Sequence, residues 1–219
     1  KEGATVIDCA GVKRSVCEKC FEIAENYNFS FVGGHPMAGT QFSGFENSKD
    51  TMFYNAPFVL TPKENEDILT LANAREVIMK LGFGRVSVMT PQKHDKLIAF
   101  TSQLAHVVSN AFVKSPSAVE RKGISAGSYK DLTRVAYLNE DMWTELFLDN
   151  KDNLIFELDN IIYELQKYSD AMKNNDPVTL KQLLKDGKLE VSALCGDMGG
   201  YGFQIAEDNA ERIIKTKEI

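Results

Sequence analysis

Strand-like and helix-like segments alternate through residues 4–89. The strand-like segments are short apolar runs, and they read ATVIDCA, FSFVGGHP, APFVLTP and RVSVMT. The first and second strand-like segments are joined by a helix-like segment, VKRSVCEKCFEIAENY, and the third and fourth by another, NEDILTLANAREVIMKLG, which ends at Gly82. A glycine-rich loop, residues 37–55, joins the second and third. Strands joined by helices of this length pair in parallel through right-handed crossovers. The pattern predicts an α/β fold, a piece of a Rossmann-like, doubly wound parallel sheet.

The pattern becomes helical after Met89. Thr90 and Pro91 predict a helix start, with threonine as the cap and proline at the first helical position. The segment LIAFTSQLAHVVSNAFV is apolar almost all round, which predicts a buried helix. RKGISAGSYKD is expected to be a loop, and a helical run should follow from Leu132 to Met172.

The second helical run carries a long apolar stripe: Leu146, Leu154, Leu158, Ile161, Ile162 and Leu165. This stripe is wider than a monomer of this size should cover, which favours a homodimer, and a self-contained bundle is the alternative. From Asn174 the chain is polar, with one helical segment, VTLKQLLKDG. We therefore expect a sheet domain at 1–89, a helical substrate-binding and dimerisation domain at 90–173, and a weakly ordered or helical tail at 174–219.

Charge and composition narrow the class of partner. The formal net charge is −6 and the sequence has no block rich in lysine and arginine, which argues against nucleic acid or an anionic membrane. The absence of a long apolar run and of a signal-peptide pattern predicts a cytoplasmic protein. Cys17 and Cys20 form a CxxC without a second pair of ligands, so we expect reduced, buried cysteines and no metal. A small-molecule or protein partner fits better.

A dinucleotide-binding sheet usually carries G-x-G-x-x-G directly after its first strand, and no such motif occurs here. The glycines at Gly82 and Gly199 lie in the wrong context. The chain begins with lysine, which is consistent with a missing N-terminal portion.

His35 lies where the second strand-like segment becomes a loop, the usual ligand side of an open parallel sheet. Gly33 and Gly34 permit close backbone approach, and Pro36 fixes the direction of the chain. The spacing alone leaves a functional and a structural histidine almost equally plausible.

The other two histidines lie in the helical region. His106 follows Ser102 by four residues, so the two share a helix face, although a lone histidine on an apolar helix is more often a hydrogen-bonded core residue. His94 stands beside Asp95 in a polar first turn and is expected to be solvated or to act as a cap.

A pair of cations marks a third candidate site. Lys130 and Arg134 are four residues apart in SAGSYKDLTR, so both project from one helical face. Two adjacent cations repel unless an anion lies between them, which favours a carboxylate or phosphate clamp. The alternative is a solvated basic face balanced by Asp131. Trp143, the only tryptophan, is by default a core or interface anchor.

Three segments together resemble the prephenate dehydrogenase family, the NAD(P)-dependent enzymes of tyrosine biosynthesis. They are GGHPMAGTQFSGFENS, HDKLIAFTSQLAH and SYKDLTRVAYLNEDMW, in that order, and the similarity runs from about residue 6 to 165. The resemblance implies that His35 is catalytic, that His106 contacts substrate and that Arg134 binds the ring carboxylate. It also implies that Lys130 lies at the entrance and that Trp143 approaches from the neighbouring subunit.

The same resemblance implies the rest of the site. The further substrate contacts would be Thr40, Gln41 and Ser102, and the contacts to an NAD or NADP cofactor would be Asp8, Gly11, Lys13, Gly34 and Pro36. The chain departs from the family at three positions: Gly11 replaces a serine that assists the catalytic histidine, Gln41 replaces an acid, and Ala105 replaces a proline.

The activity that the resemblance implies is oxidative decarboxylation of prephenate, with His35 as the general base and hydride transfer to the nicotinamide. Three alternatives stay open. They are arogenate dehydrogenase, a non-catalytic dimerisation and substrate-binding fragment, and an unrelated helical binding protein.

Overall fold

The computed structural model describes residues 3–39 and 44–194, with no side-chain detail for residues 191–194. Its sheet region contains, in chain order, β1 (Thr5–Ile7), α1 (Arg14–Tyr27), β2 (Ser30–Pro36), β3 (Pro57–Thr61), α2 (Ile68–Lys80) and β4 (Arg85–Val88). The helical region contains α3 (Pro91–Ile98), a π-helical segment (Ala99–Leu104), α4 (Ala105–Phe112), α5 (Gly127–Thr133), α6 (Glu140–Asp149), α7 (Lys151–Lys173) and α8 (Pro177–Leu194).

The described strands form one mixed sheet in the order β1-β2-β3-β4. β1 and β2 are parallel and are joined by α1, and β3 and β4 are parallel and are joined by α2. The α/β, Rossmann-like fold class followed by a helical region is therefore confirmed. An all-parallel sheet is wrong, because β2 and β3 run antiparallel. The segment between them contains no α-helix among its described residues that could return the chain for a parallel crossover.

Two apolar clusters cover the sheet. One packs strand residues against α2, and its buried members are Val32, Phe58, Leu60, Ala74, Ile78 and Phe83. The other joins α1 to β2 through Cys17, Ala24 and Phe31, with Phe21 meeting Phe31 edge to face at 5.6 Å between ring centroids. These clusters fix the ends of β1 and β2, where the candidate site lies.

The long apolar segment after Pro91 is not buried all round. Thr90 caps it as expected, since its hydroxyl accepts a hydrogen bond from the Lys93 N–H at 3.2 Å. However, Leu97, Phe100 and Phe112 are each more than 40% exposed. α1 and β3 pack on α3, and α5 packs on α4, while these three apolar side chains stay exposed among the described residues.

The second helical run is also divided. α5 begins at Gly127, inside the expected loop, and a break of residues 134–139 separates it from α6. The Asn139 side chain caps α6 by accepting from the Met142 N–H at 2.9 Å. Within the expected stripe, Leu154 is buried whereas Ile162 and Leu165 are more than half exposed.

The described residues divide into two compact units, one up to Leu158 and one from Asp159 onwards. In the second unit, the Tyr168 hydroxyl of α7 donates to the Leu183 carbonyl of α8 at 3.2 Å, and Ala171 is buried. α8 is longer than the helical segment that the sequence indicates. Among the described residues, no helix is both long and apolar enough to cross a membrane.

Candidate active site

His35 lies near the carboxyl end of β2, beyond the last residue that pairs with β1. It is opposite Val59 of β3 in the antiparallel register. The preceding glycines are required by packing, because a Cβ on Gly34 would lie 2.6 Å from the Ile7 Cγ2 atom and 3.0 Å from the Phe58 ring. The close approach that the sequence indicated is therefore an approach of β2 to its own neighbours.

A buried ion pair holds Gly34 from both sides. Asp8 follows β1, and its carboxylate accepts from the Gly34 N–H at 2.8 Å. Lys13 forms an ion pair with Asp8, and its ammonium donates to the Gly34 carbonyl at 2.6 Å. The Lys13 side chain is completely buried. The two charged residues expected to contact a cofactor therefore neutralise each other and fix the backbone next to His35.

His94 is the principal residue that sequence reasoning missed. It is 1% exposed, so the expectation of a solvated or capping residue is wrong. Its Nε2 atom lies 2.8 Å from Nδ1 of His35, and its Nδ1 atom lies 2.7 Å from the Asp95 carboxylate. A signal was present in the sequence, because residues 91, 94, 95 and 98 have helical spacing and form the buried face of α3.

The Asp95 carboxylate also caps α1. It accepts from the backbone N–H groups of Lys13 at 2.8 Å and Arg14 at 2.9 Å. Burial opposes ionisation of Asp95, but the hydrogen bonds from His94 and from these backbone groups outweigh it, and its pKa is lowered. Asp95 is therefore an anion that links α3 to the start of α1 and to His94.

Burial lowers the pKa of His35 to about 4; a positive charge on His94, in the molecules where that ring is protonated, and the charge of Lys13 act in the same direction. The carboxylates of Asp8 and Asp95 act in the opposite direction but do not cancel it. The His35 ring is consequently neutral near pH 7 and can accept a proton.

The side chain of Asn150 also contacts Asp95, through the Asp95 main chain. The fully buried Asn150 donates through its amide to the Asp95 carbonyl and to the Gln103 side-chain oxygen, each at 2.8 Å. The Asn150 oxygen accepts from Arg14 at 3.1 Å. Nothing in a single sequence distinguishes this asparagine from the other polar residues between α6 and α7.

His106 and Trp143 meet at a separate cavity of about 330 Å³. Their rings stack with 3.9 Å between centroids. Nδ1 of His106 bonds to the backbone carbonyl of Ser102 at 2.9 Å, so the pairing expected on one helix face involves the Ser102 main chain. The π-helical segment ends at Leu104, two residues before His106, and such segments are frequent at functional sites. In this chain Trp143 contacts His106 of the same molecule.

The expected clamp lies on the surface. Lys130 is on α5 and Arg134 follows that helix with helical backbone angles, and both are exposed. α5 is held against α4 by the Ser109 hydroxyl, which donates to the Leu132 carbonyl at 2.7 Å. No described contact joins either cation to His35. Thr40 and Gln41 lie outside the described residues.

Residues at the carboxyl ends of β1 and β2 fit one end of a dinucleotide. The two strands are parallel, so the turn after β1 and the His35 segment lie at the same edge of the sheet, where ligands bind in open α/β folds. Gly11 is in that turn, and a Cβ there would lie 3.1 Å from Leu146 of α6. Pro36 ends β2.

The fold and this site define a Rossmann-like α/β protein with a following helical region. Two solved structures have the same architecture. Arogenate dehydrogenase from Synechocystis is 29% identical with a TM-score of 0.68, over 84% of this chain and 67% of that one. Prephenate dehydrogenase from Aquifex aeolicus, in complex with hydroxyphenyl propionate and NAD+, is 30% identical with a TM-score of 0.70, over 85% and 65%.

Sequence comparisons give the family. The family model "prephenate dehydrogenase, nucleotide-binding domain" matches residues 1–96, and "prephenate dehydrogenase, dimerization domain" matches residues 90–186. A cyclohexadienyl dehydrogenase from Zymomonas mobilis is 30% identical over 90% of this chain and 68% of its own length. The chain belongs to the prephenate dehydrogenase family. It spans about half the length of two curated prephenate dehydrogenases that it matches, 50% and 52%.

Proposed function

We propose that this chain catalyses oxidative decarboxylation of prephenate to 4-hydroxyphenylpyruvate, with His35 as the general base. The observation that carries the proposal is the position of the His35 ring at the carboxyl end of β2, with Nδ1 2.8 Å from Nε2 of His94, and the lowered pKa of this ring supports it. Family membership supports this reaction class. The cofactor is NAD+ or NADP+, and the NAD+ complex of the Aquifex relative supports the former.

His35 would act on the hydroxyl group of the substrate ring. A bound oxidised nicotinamide supplies the hydride acceptor. As the hydride leaves the carbon that bears the hydroxyl group, the O–H proton moves to Nε2 of His35. The electrons of the carbon–carboxylate bond then complete the aromatic ring, carbon dioxide leaves, and the phenolate takes the proton back. The chain itself supplies orientation, proton transfer and charge placement.

We assign binding of the two substrate carboxylates to residues other than His35, His94 and Asp95. Arg134 would bind the ring carboxylate, Lys130 would attract the anion at the entrance, and His106 would contact the substrate beside Trp143. Ser102, Thr40 and Gln41 complete this proposed substrate set. Asp8, Gly11, Lys13, Gly34 and Pro36 form the proposed cofactor end, with Asp8 and Lys13 acting through the backbone that they hold.

A homodimer is part of the proposal, with residues 1–89 as the nucleotide-binding portion and 90–173 as the helical substrate-binding and dimerisation portion. The dimerization-domain match supports it. So do the exposed apolar side chains of α7, which include Ile155, Phe156, Ile162, Tyr163, Leu165 and Met172. We assign residues 174–219 no role in the reaction.

The decisive experiment is a steady-state assay of reduced nicotinamide formation with prephenate, for the unmodified chain and for His35→Asn. We expect turnover to fall by about a hundredfold or more in the variant with little change in substrate binding, as for a lost general base. Arg75→Ala, an exposed substitution on α2, serves as the control and should retain full turnover. Near-normal turnover of His35→Asn would refute the assignment.

Arogenate is the second candidate substrate, favoured by the similarity to the Synechocystis arogenate dehydrogenase. The ratio of kcat/KM for prephenate and arogenate decides between the two. A non-catalytic fragment that binds substrate and dimerises is the third candidate. Titration with NAD+ and NADP+ distinguishes it, because such a fragment should bind neither cofactor tightly.

A further inference from the structure

The three groups His35, His94 and Asp95 form a continuous hydrogen-bonded row from β2 to α3. His35 Nδ1 is 2.8 Å from His94 Nε2, and His94 Nδ1 is 2.7 Å from Asp95 Oδ1. His94 and Asp95 are each 1% exposed, so solvent does not substitute for these partners. The two imidazole rings are inclined at 63°, with 5.1 Å between their centroids.

The Asp95 carboxylate, at one end of this row, determines which nitrogen of His94 carries a hydrogen. The Asp95 carboxylate is ionised, and it already accepts from the backbone N–H groups of Lys13 and Arg14. A carboxylate can only accept, so Nδ1 of His94 must carry the hydrogen. In a neutral His94 the other nitrogen, Nε2, is then an acceptor. It can bond to His35 only if Nδ1 of His35 donates.

We infer that His94, held by Asp95, is a positioning residue that fixes His35 in its Nδ1–H tautomer and so makes Nε2 the proton-accepting atom. This inference rests on the proposed role of His35 as the base. The row also stabilises the protonated state, because the imidazolium formed at Nε2 still donates from Nδ1 to His94. A histidine without this partner would populate both tautomers, and the Nε2–H form has no lone pair on that nitrogen.

The test is a two-bond ¹H–¹⁵N correlation spectrum of the uniformly ¹⁵N-labelled chain at pH 7. The sequence has three histidines, so His106→Asn and His35→Asn assign the signals. We expect neutral His35 and His94 rings, each with the hydrogen on Nδ1 and a bare Nε2. His35 with its hydrogen on Nε2, or a doubly protonated His94, would overturn the inference without any variant.

Two substitutions of His94 sharpen the test. His94→Leu removes the acceptor and should raise the population of the Nε2–H tautomer of His35. His94→Gln provides an amide oxygen as acceptor and should restore the Nδ1–H tautomer at least in part. An unchanged His35 tautomer in a folded His94→Leu chain would contradict the inference, and if that variant does not fold, the spectrum of the unmodified chain decides.

Activity gives a separate readout. If the tautomer is as inferred but His35→Asn retains turnover, the proposed function fails and the tautomer assignment stands. If His35→Asn loses turnover but His35 of the unmodified chain carries its hydrogen on Nε2, His35 remains the general base and the role inferred for His94 is wrong.

Discussion

The ammonium group of Lys13 donates to the main-chain carbonyl of Gly34 at 2.6 Å, from a side chain with no exposure to solvent. The same ammonium neutralises Asp8, whose carboxylate accepts from the Gly34 N–H. The residue before the candidate base is therefore held by both of its backbone polar groups. A buried lysine is tolerated here because its charge and its hydrogen-bond capacity are both satisfied.

Replacement of Lys13 by methionine tests this support. The Lys13→Met variant keeps the volume of the side chain but leaves the Asp8 carboxylate without its counter-ion and the Gly34 carbonyl without its donor. We expect the free energy of unfolding to fall by about 3 kcal/mol, the usual cost of breaking a buried ion pair by removing one partner. Urea denaturation measures this cost. Lys19→Met, on the exposed face of α1, should change stability by no more than about 0.5 kcal/mol, and equal losses in the two variants would contradict the argument.

Two glycines in the same motif should respond differently to alanine. A Cβ on Gly34 would collide with the backbone carbonyl of Asp8 and with the Ile7 side chain, whereas a Cβ on Gly39 meets no atom of the described residues within 4 Å. We expect Gly34→Ala to lose about 1–3 kcal/mol of stability through overpacking. Gly39→Ala should be close to neutral. Thermal unfolding of the two variants provides the comparison, and a neutral Gly34→Ala would show that β1 and β2 can separate at no cost.

Much of the fold could be predicted from local pattern. Each predicted strand and helix of residues 4–89 is present, because apolar periodicity and the glycine and proline residues that end segments act within a few residues. The antiparallel pairing of β2 and β3 could not be predicted in this way. It depends on how the long glycine-rich segment returns the chain, and no local propensity specifies that path.

In the candidate site, too, local features could be predicted and contacts between distant residues could not. His35 was recognisable from its position at a strand end and from the resemblance, but its partner was not. His94 was interpreted from its polar neighbours, although its distance of four residues from Ile98 placed it on the buried face of α3. The contacts of Asp95 with α1 and of Asn150 with Asp95 join residues more than fifty positions apart, so they follow from tertiary packing alone.

The exposed cations of α5 give a kinetic prediction. Arg134→Ala should raise the Michaelis constant for prephenate by about ten- to a hundredfold with a smaller change in kcat, because a carboxylate contact is lost in the ground state and the transition state alike. Initial-rate measurements over a range of prephenate concentrations test this. Arg75→Ala removes an exposed arginine of α2 and should leave the constant unchanged. An unaltered Michaelis constant in Arg134→Ala would remove Arg134 from the substrate site.

The lowered pKa of His35 gives a prediction for stability against pH. Its ordinary value is 6.5, and in the folded chain the pKa is about 4, chiefly because the ring loses solvent on burial. Between these two values the unfolded chain binds a proton that the folded chain does not, so folding stability rises with pH through this window. The contribution is complete above about pH 6.5 and is lost as the pH falls towards 4, with a total of up to about 3 kcal/mol.

Replacement of His35 by asparagine should remove this part of the pH dependence. The urea midpoints of the unmodified chain and of His35→Asn should be measured from pH 4 to pH 8. We expect the midpoint of the unmodified chain to fall more steeply below about pH 6.5 than the midpoint of His35→Asn. His106→Asn leaves His35 and its row to Asp95 in place, and we expect it to retain the steep dependence. Parallel curves for the unmodified chain and His35→Asn would mean that His35 titrates alike in the folded and unfolded states. That result would contradict a half-buried neutral His35 ring hydrogen-bonded to His94.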